Sequence, residues 1–226
     1  MPTIRLEHVT KIYKNTRRGV SATLEVDLTI QHGEFVFITG PRGSGKSTLM
    51  ELIAGAVEPD RGRVRLGAAD LWSMEPRERE ELLDCLGIIL SDDELIPSET
   101  VFKNLASEHQ LEYLKNRLFD GHKIAKALSL VGMAGSENRY AKDLTSSERS
   151  RVLLAKAIWR SPPALILDGL AERADDDTVW DMLHLLSALN AKGMTVVFAT
   201  ADSSYTTTMK KRVVSLLDGR ITSVRR

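Results

Sequence analysis

The sequence predicts an α/β domain with a parallel sheet, an antiparallel β flank at its N-terminal end and an inserted helical lobe. Two observations lead to this class. Four apolar runs are typical of strands buried on both faces, and helical patterns separate these runs along the chain. The runs are Phe35–Ile38, Leu86–Leu90, Ala164–Leu167 and Thr195–Ala199. Buried strands that alternate with helices are the units from which parallel sheets are built.

The antiparallel flank and the helices are predicted from the spacing of apolar residues. Ile4 and Leu6, and then residues 24–30, alternate apolar with polar side chains, which indicates antiparallel strands with one face in water. Apolar residues recur at helical spacing in residues 46–56, 152–159 and 182–189.

Residues 98–140 lack a strand pattern and predict two or three helices, which form the inserted lobe. Asp218-Gly219 is typical of a tight hairpin between the last two strands. We therefore expect a single domain over residues 1–226. Its core is expected to comprise approximately residues 1–90 and 160–226, and its helical subdomain approximately residues 91–160.

Composition excludes several functions. Lys and Arg number 31, as do Asp and Glu, so the chain has no broad positive field and we expect no nucleic-acid partner. Cys85 is the single cysteine and cannot form an internal disulfide. No apolar run approaches the ~20 residues that a membrane-spanning helix needs, so we expect any membrane function to depend on another chain.

Residues 40–47 match the phosphate-loop pattern G-x-x-x-x-G-K-[ST]. Its glycines let backbone N–H groups point at a phosphate, and the helix that follows directs its positive end at the anion. Lys46 is expected to reach the β- and γ-phosphates, and the Ser47 hydroxyl to ligate Mg²⁺. A buried strand before the loop and a helical pattern after it argue against a chance glycine turn. The expected nucleotide-binding residues are Gly40, Pro41, Arg42, Gly43, Ser44, Gly45, Lys46, Ser47 and Thr48.

Asp168 directly follows the apolar run Ala164–Leu167. A carboxylate at the end of a strand beside a phosphate loop is typical of the Walker B aspartate, which holds Mg²⁺. The alternative is an ordinary strand-end aspartate that caps a turn. We expect the magnesium role, which makes Ser47 and Asp168 the predicted metal ligands.

Thr145 and Glu148 have the spacing of a capping box at the start of a helix. The phosphate loop, a helical insert, this helix start and a Walker B strand follow one another over nearly the whole chain. In that order they resemble the ATP-binding subunits of ABC transporters, and are most similar to FtsE-type and lipoprotein-exporter-like ATPases. The resemblance implies the ABC ATPase type of P-loop fold, with ATP and Mg²⁺ as cofactors.

The resemblance also implies partners and site residues. Tyr13 would stack on adenine, residues 145–148 would form the signature loop that faces the ATP of a second subunit, and Asp175 would lie in the inter-subunit loop. The family's subunits associate in an ATP-dependent homodimer or heterodimer of ABC ATPases. They serve a separately encoded membrane permease, which implies a cytoplasmic protein at the inner face of the cell membrane, in transport or cell division.

Several family positions hold different residues here. The signature Leu-Ser-Gly-Gly-Glu is replaced by Leu-Thr-Ser-Ser-Glu at residues 144–148, with Thr145, Ser146, Ser147 and Glu148 in the loop. Side chains replace the glycines, where they crowd the approach to a γ-phosphate. Gly169 stands at the position of the catalytic glutamate, Ser91 at that of the glutamine and Ala201 at that of the switch histidine. We therefore expect ATP binding with weak or absent hydrolysis. Glu172 is a candidate for a replacement base, but it lies three positions after Gly169 and we do not expect it to act.

Two other functions compete with this interpretation. One is a catalytically dead pseudo-ATPase that acts as a structural adaptor. ATP-dependent dimerisation distinguishes it from a nucleotide-driven subunit. The other is an unrelated P-loop kinase or GTPase. The order of the motifs argues against it, as does the lack of a guanine-reading Asn-Lys-x-Asp stretch.

Overall fold

The computed structural model describes residues 3–13, 21–106 and 121–225. Its strands are β1 (Ile4–Tyr13), β2 (Ser21–Ile30), β3 (Phe35–Thr39), β4 (Arg61–Leu66), β5 (Ala69–Asp70), β6 (Gly87–Ile89), β7 (Ala164–Leu167), β8 (Thr195–Thr200), β9 (Arg212–Leu217) and β10 (Arg220–Arg225). Its helices are α1 (Lys46–Ile53), α2 (Pro76–Leu83), α3 (Val101–Ala106), α4 (121–130), α5 (Ser146–Ile158), α6 (Asp176–Ala191) and α7 (Ser203–Met209). Short 3-10 helices cover Leu71–Ser73, Ala141–Asp143 and Ala171–Arg173.

A six-stranded sheet in the order β10-β9-β3-β8-β7-β6 forms the centre of the fold. Strands β9, β3, β8, β7 and β6 run parallel, and β10 pairs antiparallel with β9. All four predicted apolar runs lie in this sheet. Because parallel strands end at the same edge, the loops after β3, β6, β7 and β8 meet there. The predicted α/β class is confirmed.

The central strands are buried on both faces, as their continuous apolar runs predict. Phe35 and Phe37 pack into the cluster that includes α5 and α6, whereas Val36 and Ile38 pack against α1 and the β flank. Phe37 also contacts Phe198 edge to face, with 5.9 Å between the ring centroids. Alternate residues of one strand therefore anchor two separate layers on the same sheet.

The predicted flank is a four-stranded antiparallel sheet in the order β2-β1-β4-β5. Leu6 pairs with Leu28 on one side and with Val64 on the other, and all three side chains are buried. The predicted hairpin between β9 and β10 is also present. Asp218 and Gly219 have φ of 48° and 76°, the left-handed values that the tightest hairpin turn requires.

The inserted lobe is helical in its described part, where α3 and α4 lie within the predicted stretch 98–140. Residues 107–120 lie outside the described ranges. The buried Asn104 fastens the loop before α3, because its Oδ1 accepts from the Ile96 N–H at 2.7 Å and its Nδ2 donates to the Ile96 carbonyl at 3.2 Å. The division into core and helical subdomain stays a prediction.

Among the residues that the structure describes, no helix combines the length and the apolar character needed to cross a membrane.

Candidate nucleotide-binding site

The phosphate loop connects β3 to α1, and its glycines hold left-handed backbone. Gly40 has φ of 152°, and a Cβ there would lie 2.4 Å from the Leu216 carbonyl oxygen and 2.5 Å from Ser44 Oγ. Gly45 has φ of 96° and immediately precedes α1, whose first turn receives no side-chain cap. The loop is therefore built from backbone, and the N–H groups of the helix start remain available to an anion.

The side chains of the loop divide into exposed and buried sets. Pro41, Arg42 and Gly43 are exposed at its tip, whereas Ser44 and Thr48 are buried. The Ser44 hydroxyl has no hydrogen-bond partner in the described part of the chain. A buried hydroxyl without a partner costs free energy, so this position favours a ligand that supplies one.

Lys46 folds back over the loop. Its Nζ donates to the Gly40 carbonyl at 2.7 Å and to the Pro41 carbonyl at 3.1 Å. Burial lowers the pKa of Lys46, while the charges of Glu172 and Asp168 raise it in part. The ammonium group is thus held inside the cradle and within the field of two carboxylates.

Asp168 directly follows β7, and β8 lies between β7 and β3, the strand that leads into the phosphate loop. Only 4% of the residue is exposed, and its Oδ2 has no hydrogen-bond donor among the described residues. An ionised carboxylate oxygen in such a place requires a cation or an ordered donor. Together with the Ser47 hydroxyl it offers the hard oxygen ligands that Mg²⁺ prefers, so the residues present fit that ion.

Gly169 turns the chain sharply after Asp168, with φ of 77°. A Cβ at this position would lie 3.1 Å from Ser91 Cα and 3.6 Å from both Nε and Nη2 of Arg173. The Arg173 guanidinium in turn donates to the carbonyls of Ser91 and of Asp93, the latter at 2.5 Å. Arg173 was not predicted from the sequence, because no pattern indicates hydrogen bonds to backbone carbonyls 80 and 82 positions earlier.

Ala201 directly follows β8 and is exposed. The next residue, Asp202, accepts from the Ser204 N–H at 2.7 Å and caps α7. The methyl group of Ala201 supplies neither a donor nor an acceptor. Ser91, Gly169 and Ala201 thus lie near the starts of the loops after β6, β7 and β8.

The signature loop, residues 145–148, begins α5 with the predicted capping box. The Glu148 N–H donates to Thr145 Oγ1 at 3.2 Å, and the Thr145 N–H donates to Glu148 Oε2 at 2.8 Å. Arg139 also donates to both Glu148 oxygens, at 2.6 and 3.1 Å. The hydrogen bond from Arg139, followed by that from the Thr145 backbone, lowers the pKa of Glu148 to about 2.

Ser146 and Ser147 replace the family's glycines within the first turn of α5. Neither is among the described residues with positive φ, so serine causes no backbone strain at these positions. Only the volume and polarity of the two side chains distinguish them from glycine. Ser147 Oγ donates to Asp175 Oδ2, which joins the signature loop to the predicted inter-subunit loop of the same chain.

Tyr13 ends β1 at the rim of the site. Its hydroxyl donates to Glu51 Oε2 at 2.9 Å, and Lys11 Nζ lies 5.8 Å from its ring centroid. Burial, together with the hydrogen bond to Glu51, raises the pKa of Tyr13 to about 12. The hydroxyl is therefore fixed to α1, the helix that follows the phosphate loop. Stacking on adenine stays a prediction.

Comparison with known proteins gives consistent matches. The model of the ABC transporter family matches residues 24–171. The cell division ATP-binding protein FtsE of Mycobacterium tuberculosis is 35% identical over 219 residues, which cover 96% of this chain and 94% of that protein. FtsE of Streptococcus pneumoniae serotype 2 is 30% identical over 222 residues, with 98% and 94% covered.

Solved structures agree with the sequence matches. The dimeric structure of a bacterial ABC transporter cassette has a TM-score of 0.87 and 26% identity to this chain, and the match covers 99% of this chain and 98% of that one. A dimeric post-hydrolysis state of an ATP-binding cassette, bound to ADP and Pi, matches with the same values.

Proposed function

The chain belongs to the ABC transporter family, and from this premise we propose that it is an FtsE-like ATP-binding subunit that binds ATP with Mg²⁺ and hydrolyses it slowly. The kinase and GTPase alternative is excluded by this membership. The observation that carries the proposal is the pairing of a backbone phosphate cradle with the buried, donorless Oδ2 of Asp168.

Nucleotide binding follows from the contacts of the loop. The start of α1 has no side-chain cap, and the Lys46 ammonium contacts the Gly40 and Pro41 carbonyls of the loop that precedes it. Together they would provide hydrogen-bond donors and positive charge for the phosphates. Ser47 and Asp168 would hold Mg²⁺, which neutralises phosphate charge. Tyr13 at the rim would contact adenine, as the family resemblance implies.

Slow hydrolysis is supported by three adjacent loops. Ser91, Gly169 and Ala201 offer neither a carboxylate nor an imidazole at the family's positions, and the short Ser91 side chain replaces a longer amide. Loss of a group that positions or deprotonates water typically lowers a rate by 10²–10⁴-fold. We therefore place turnover at least ~10²-fold below that of a competent relative.

The partners are proposed from the family. Its members act with a separate membrane permease, and a matching cassette is dimeric. We extend both properties to this chain, which would pair with a second copy or another ABC ATPase when ATP is bound. It would then act at the inner face of the cell membrane, in cell division as the names of the relatives indicate.

Thermal unfolding with and without MgATP tests nucleotide binding. A ligand at 100 times its Kd stabilises the folded state by about 2.7 kcal/mol, so the melting temperature rises. Lys46→Ala is expected to abolish the rise, whereas Lys192→Ala, an exposed control at the end of α6, keeps it. A calorimetric titration of the unchanged chain that detects no binding at millimolar MgATP would refute the proposal.

One observation favours the adaptor function instead. The signature loop bonds within its own chain, from Ser147 to Asp175, so the Ser147 hydroxyl is already occupied. An adaptor would bind ATP, if at all, as a structural ligand and would associate with its partner without nucleotide. The oligomeric state of the chain, measured with and without MgATP, distinguishes the two functions.

A further inference from the structure

The end of β1, where Tyr13 lies, is fastened to the residue that precedes β4. Asp60 Oδ2 accepts from the Ile12 N–H at 2.6 Å, and the Asp60 N–H donates to the Thr10 carbonyl at 2.8 Å. Lys11 Nζ also lies 3.5 Å from Asp60 Oδ1. The backbone that carries the Tyr13 side chain is therefore held in place by three contacts with one residue.

The other end of the Tyr13 side chain is held by α1. Its hydroxyl donates to Glu51 Oε2 at 2.9 Å, and this bond uses the single proton of the phenol. Burial and then the bond to Glu51 raise the pKa of Tyr13, while a hydrogen bond with the Thr48 side chain lowers it in part. Glu51 and Thr48 thus meet at the same hydroxyl. With its backbone and its hydroxyl both fixed, the ring has one orientation.

The bond to Glu51 also places the ring relative to the phosphate site. Glu51 lies four residues after Ser47, the predicted Mg²⁺ ligand, so the two share one face of α1. The separation along the helix axis is about 6 Å. Thr48, the second contact of the hydroxyl, directly follows Ser47 in the sequence. The aromatic ring is therefore attached within one helical turn of the residues that follow the phosphate loop.

Lys11 covers one face of the Tyr13 ring. Its Nζ lies 5.8 Å from the ring centroid, within the range of a cation–π contact, and its side chain is only 19% exposed. Tyr13 itself is partly exposed at the rim of the site. A fixed ring with one face against a cation and part of its surface open to solvent is suited to stack on a planar base.

We propose that Glu51 is a positioning residue for nucleotide binding, which holds the Tyr13 ring in the orientation that stacks on the base of ATP. The inference rests on the proposed function, in which Tyr13 contacts adenine. Because the ring is ordered before the nucleotide arrives, binding does not bear the cost of ordering it. Glu51 acts through Tyr13, so its removal weakens the hold on the base and leaves the hold on the phosphates unchanged.

Calorimetric titration with two ligands, MgATP and magnesium tripolyphosphate, tests the proposal, because tripolyphosphate offers phosphates without a base. Tyr13→Ala is expected to weaken MgATP binding about tenfold or more, the usual effect of a lost aromatic–base stack. Glu51→Ala is expected to weaken it at least about threefold. Both variants are expected to bind tripolyphosphate as the unchanged chain does. Glu58→Ala removes an exposed carboxylate shortly after α1 and is the matched control, with normal affinity for both ligands.

A double-mutant cycle shows whether Glu51 acts through the Tyr13 hydroxyl. Tyr13→Phe removes the hydroxyl, so adding Glu51→Ala to it is expected to cause no further loss of MgATP affinity. Glu51→Gln keeps an oxygen that can accept from the hydroxyl and is expected to recover most of the affinity lost in Glu51→Ala. Fully additive losses in the double variant would overturn the positioning role, because Glu51 would then affect the nucleotide by another route.

Other outcomes separate this proposal from nucleotide binding itself. Unchanged MgATP affinity in Glu51→Ala or in Tyr13→Ala would overturn the proposal. Equal losses of MgATP and tripolyphosphate affinity in Glu51→Ala would also overturn it, since they would indicate general support of α1. An unchanged chain that binds neither ligand would instead refute the proposed function.

Discussion

Ser147 Oγ donates a 2.5 Å hydrogen bond to Asp175 Oδ2, and this bond links the first turn of α5 to the cap of α6. The Asp175 N–H donates back to Ser147 Oγ at 3.2 Å, and Asp175 Oδ1 accepts from the Thr178 N–H at 2.8 Å. The family's glycine at position 147 could not form this link. Here the signature loop is held by its own chain before any partner arrives.

The first prediction concerns the ionisation of Asp175. The Ser147 hydroxyl, then the Thr178 N–H, lowers the pKa of Asp175 from 3.8 to about 2. Because the folded chain favours the ionised form, this contribution to stability is complete above about pH 4 and is lost as the pH falls toward the lowered pKa. Ser147→Ala is expected to raise the pKa of Asp175 toward its ordinary value, as measured by carboxyl NMR titration. Ser146→Ala is the control, and an unchanged pKa in Ser147→Ala would contradict the prediction.

The second prediction compares two glycines of the phosphate loop. A Cβ on Gly40 would overlap the Leu216 carbonyl and Ser44, whereas a Cβ on Gly43 meets nothing within 4 Å. Gly40→Ala is expected to lower the free energy of unfolding by about 2 kcal/mol or more and to remove the melting shift with MgATP. Gly43→Ala is expected to lower the free energy of unfolding by only about 1 kcal/mol, because it adds backbone strain at positive φ without a close contact.

Chemical denaturation and thermal shift measure both effects. A larger loss of stability in Gly43→Ala than in Gly40→Ala would show that the close contact at Gly40 does not hold in solution.

Much of the core was predictable, because burial on two faces leaves a continuous apolar run in the sequence. The hairpin at Asp218 and Gly219 and the capping box of Thr145 were also predictable, since each is local and depends on residue types at fixed spacing. The bond from Arg173 to the Ser91 carbonyl spans 82 positions and ends on a backbone atom. Any residue at position 91 would present the same carbonyl, so no sequence pattern records the contact.

The third prediction concerns turnover. With Gly169, Ser91 and Ala201 at the catalytic positions, we expect phosphate release at least ~10²-fold slower than that of a competent relative measured alongside. Asp168→Asn is expected to reduce it further, because the cation loses its anionic ligand. Robust phosphate release that disappears in Asp168→Asn would show that the three substitutions do not impair hydrolysis.

The fourth prediction concerns reversal of one substitution. Gly169→Glu restores the family's residue type, but position 169 has φ of 77° and its Cβ would lie 3.1 Å from Ser91 Cα. We expect a loss of about 1–2 kcal/mol in the free energy of unfolding and turnover still well below that of a competent relative. Gly169→Ala serves as the control for backbone strain. Full turnover in Gly169→Glu would show that the loop adapts readily.

The last prediction concerns association. In the closed dimer that the family resemblance implies, the start of α5 would face the ATP of the second subunit, and its capped N-terminus would still attract the phosphate. The Ser147 hydroxyl is occupied by Asp175, and the side chains of Ser146 and Ser147 occupy space that glycine leaves open. Attraction and crowding each amount to about 1–2 kcal/mol, so closure is weakened and not prevented.

Slow hydrolysis favours the dimer, because a closed dimer persists until its nucleotide is cleaved or released. We therefore expect a monomer without nucleotide and a partial, long-lived dimer with MgATP, measured by light scattering coupled to size-exclusion chromatography. Lys46→Ala is expected to stay monomeric in both conditions, since the dimer depends on bound phosphates. A tight dimer without nucleotide would mean that association uses a surface other than the signature loop, and the adaptor function would then explain the chain better.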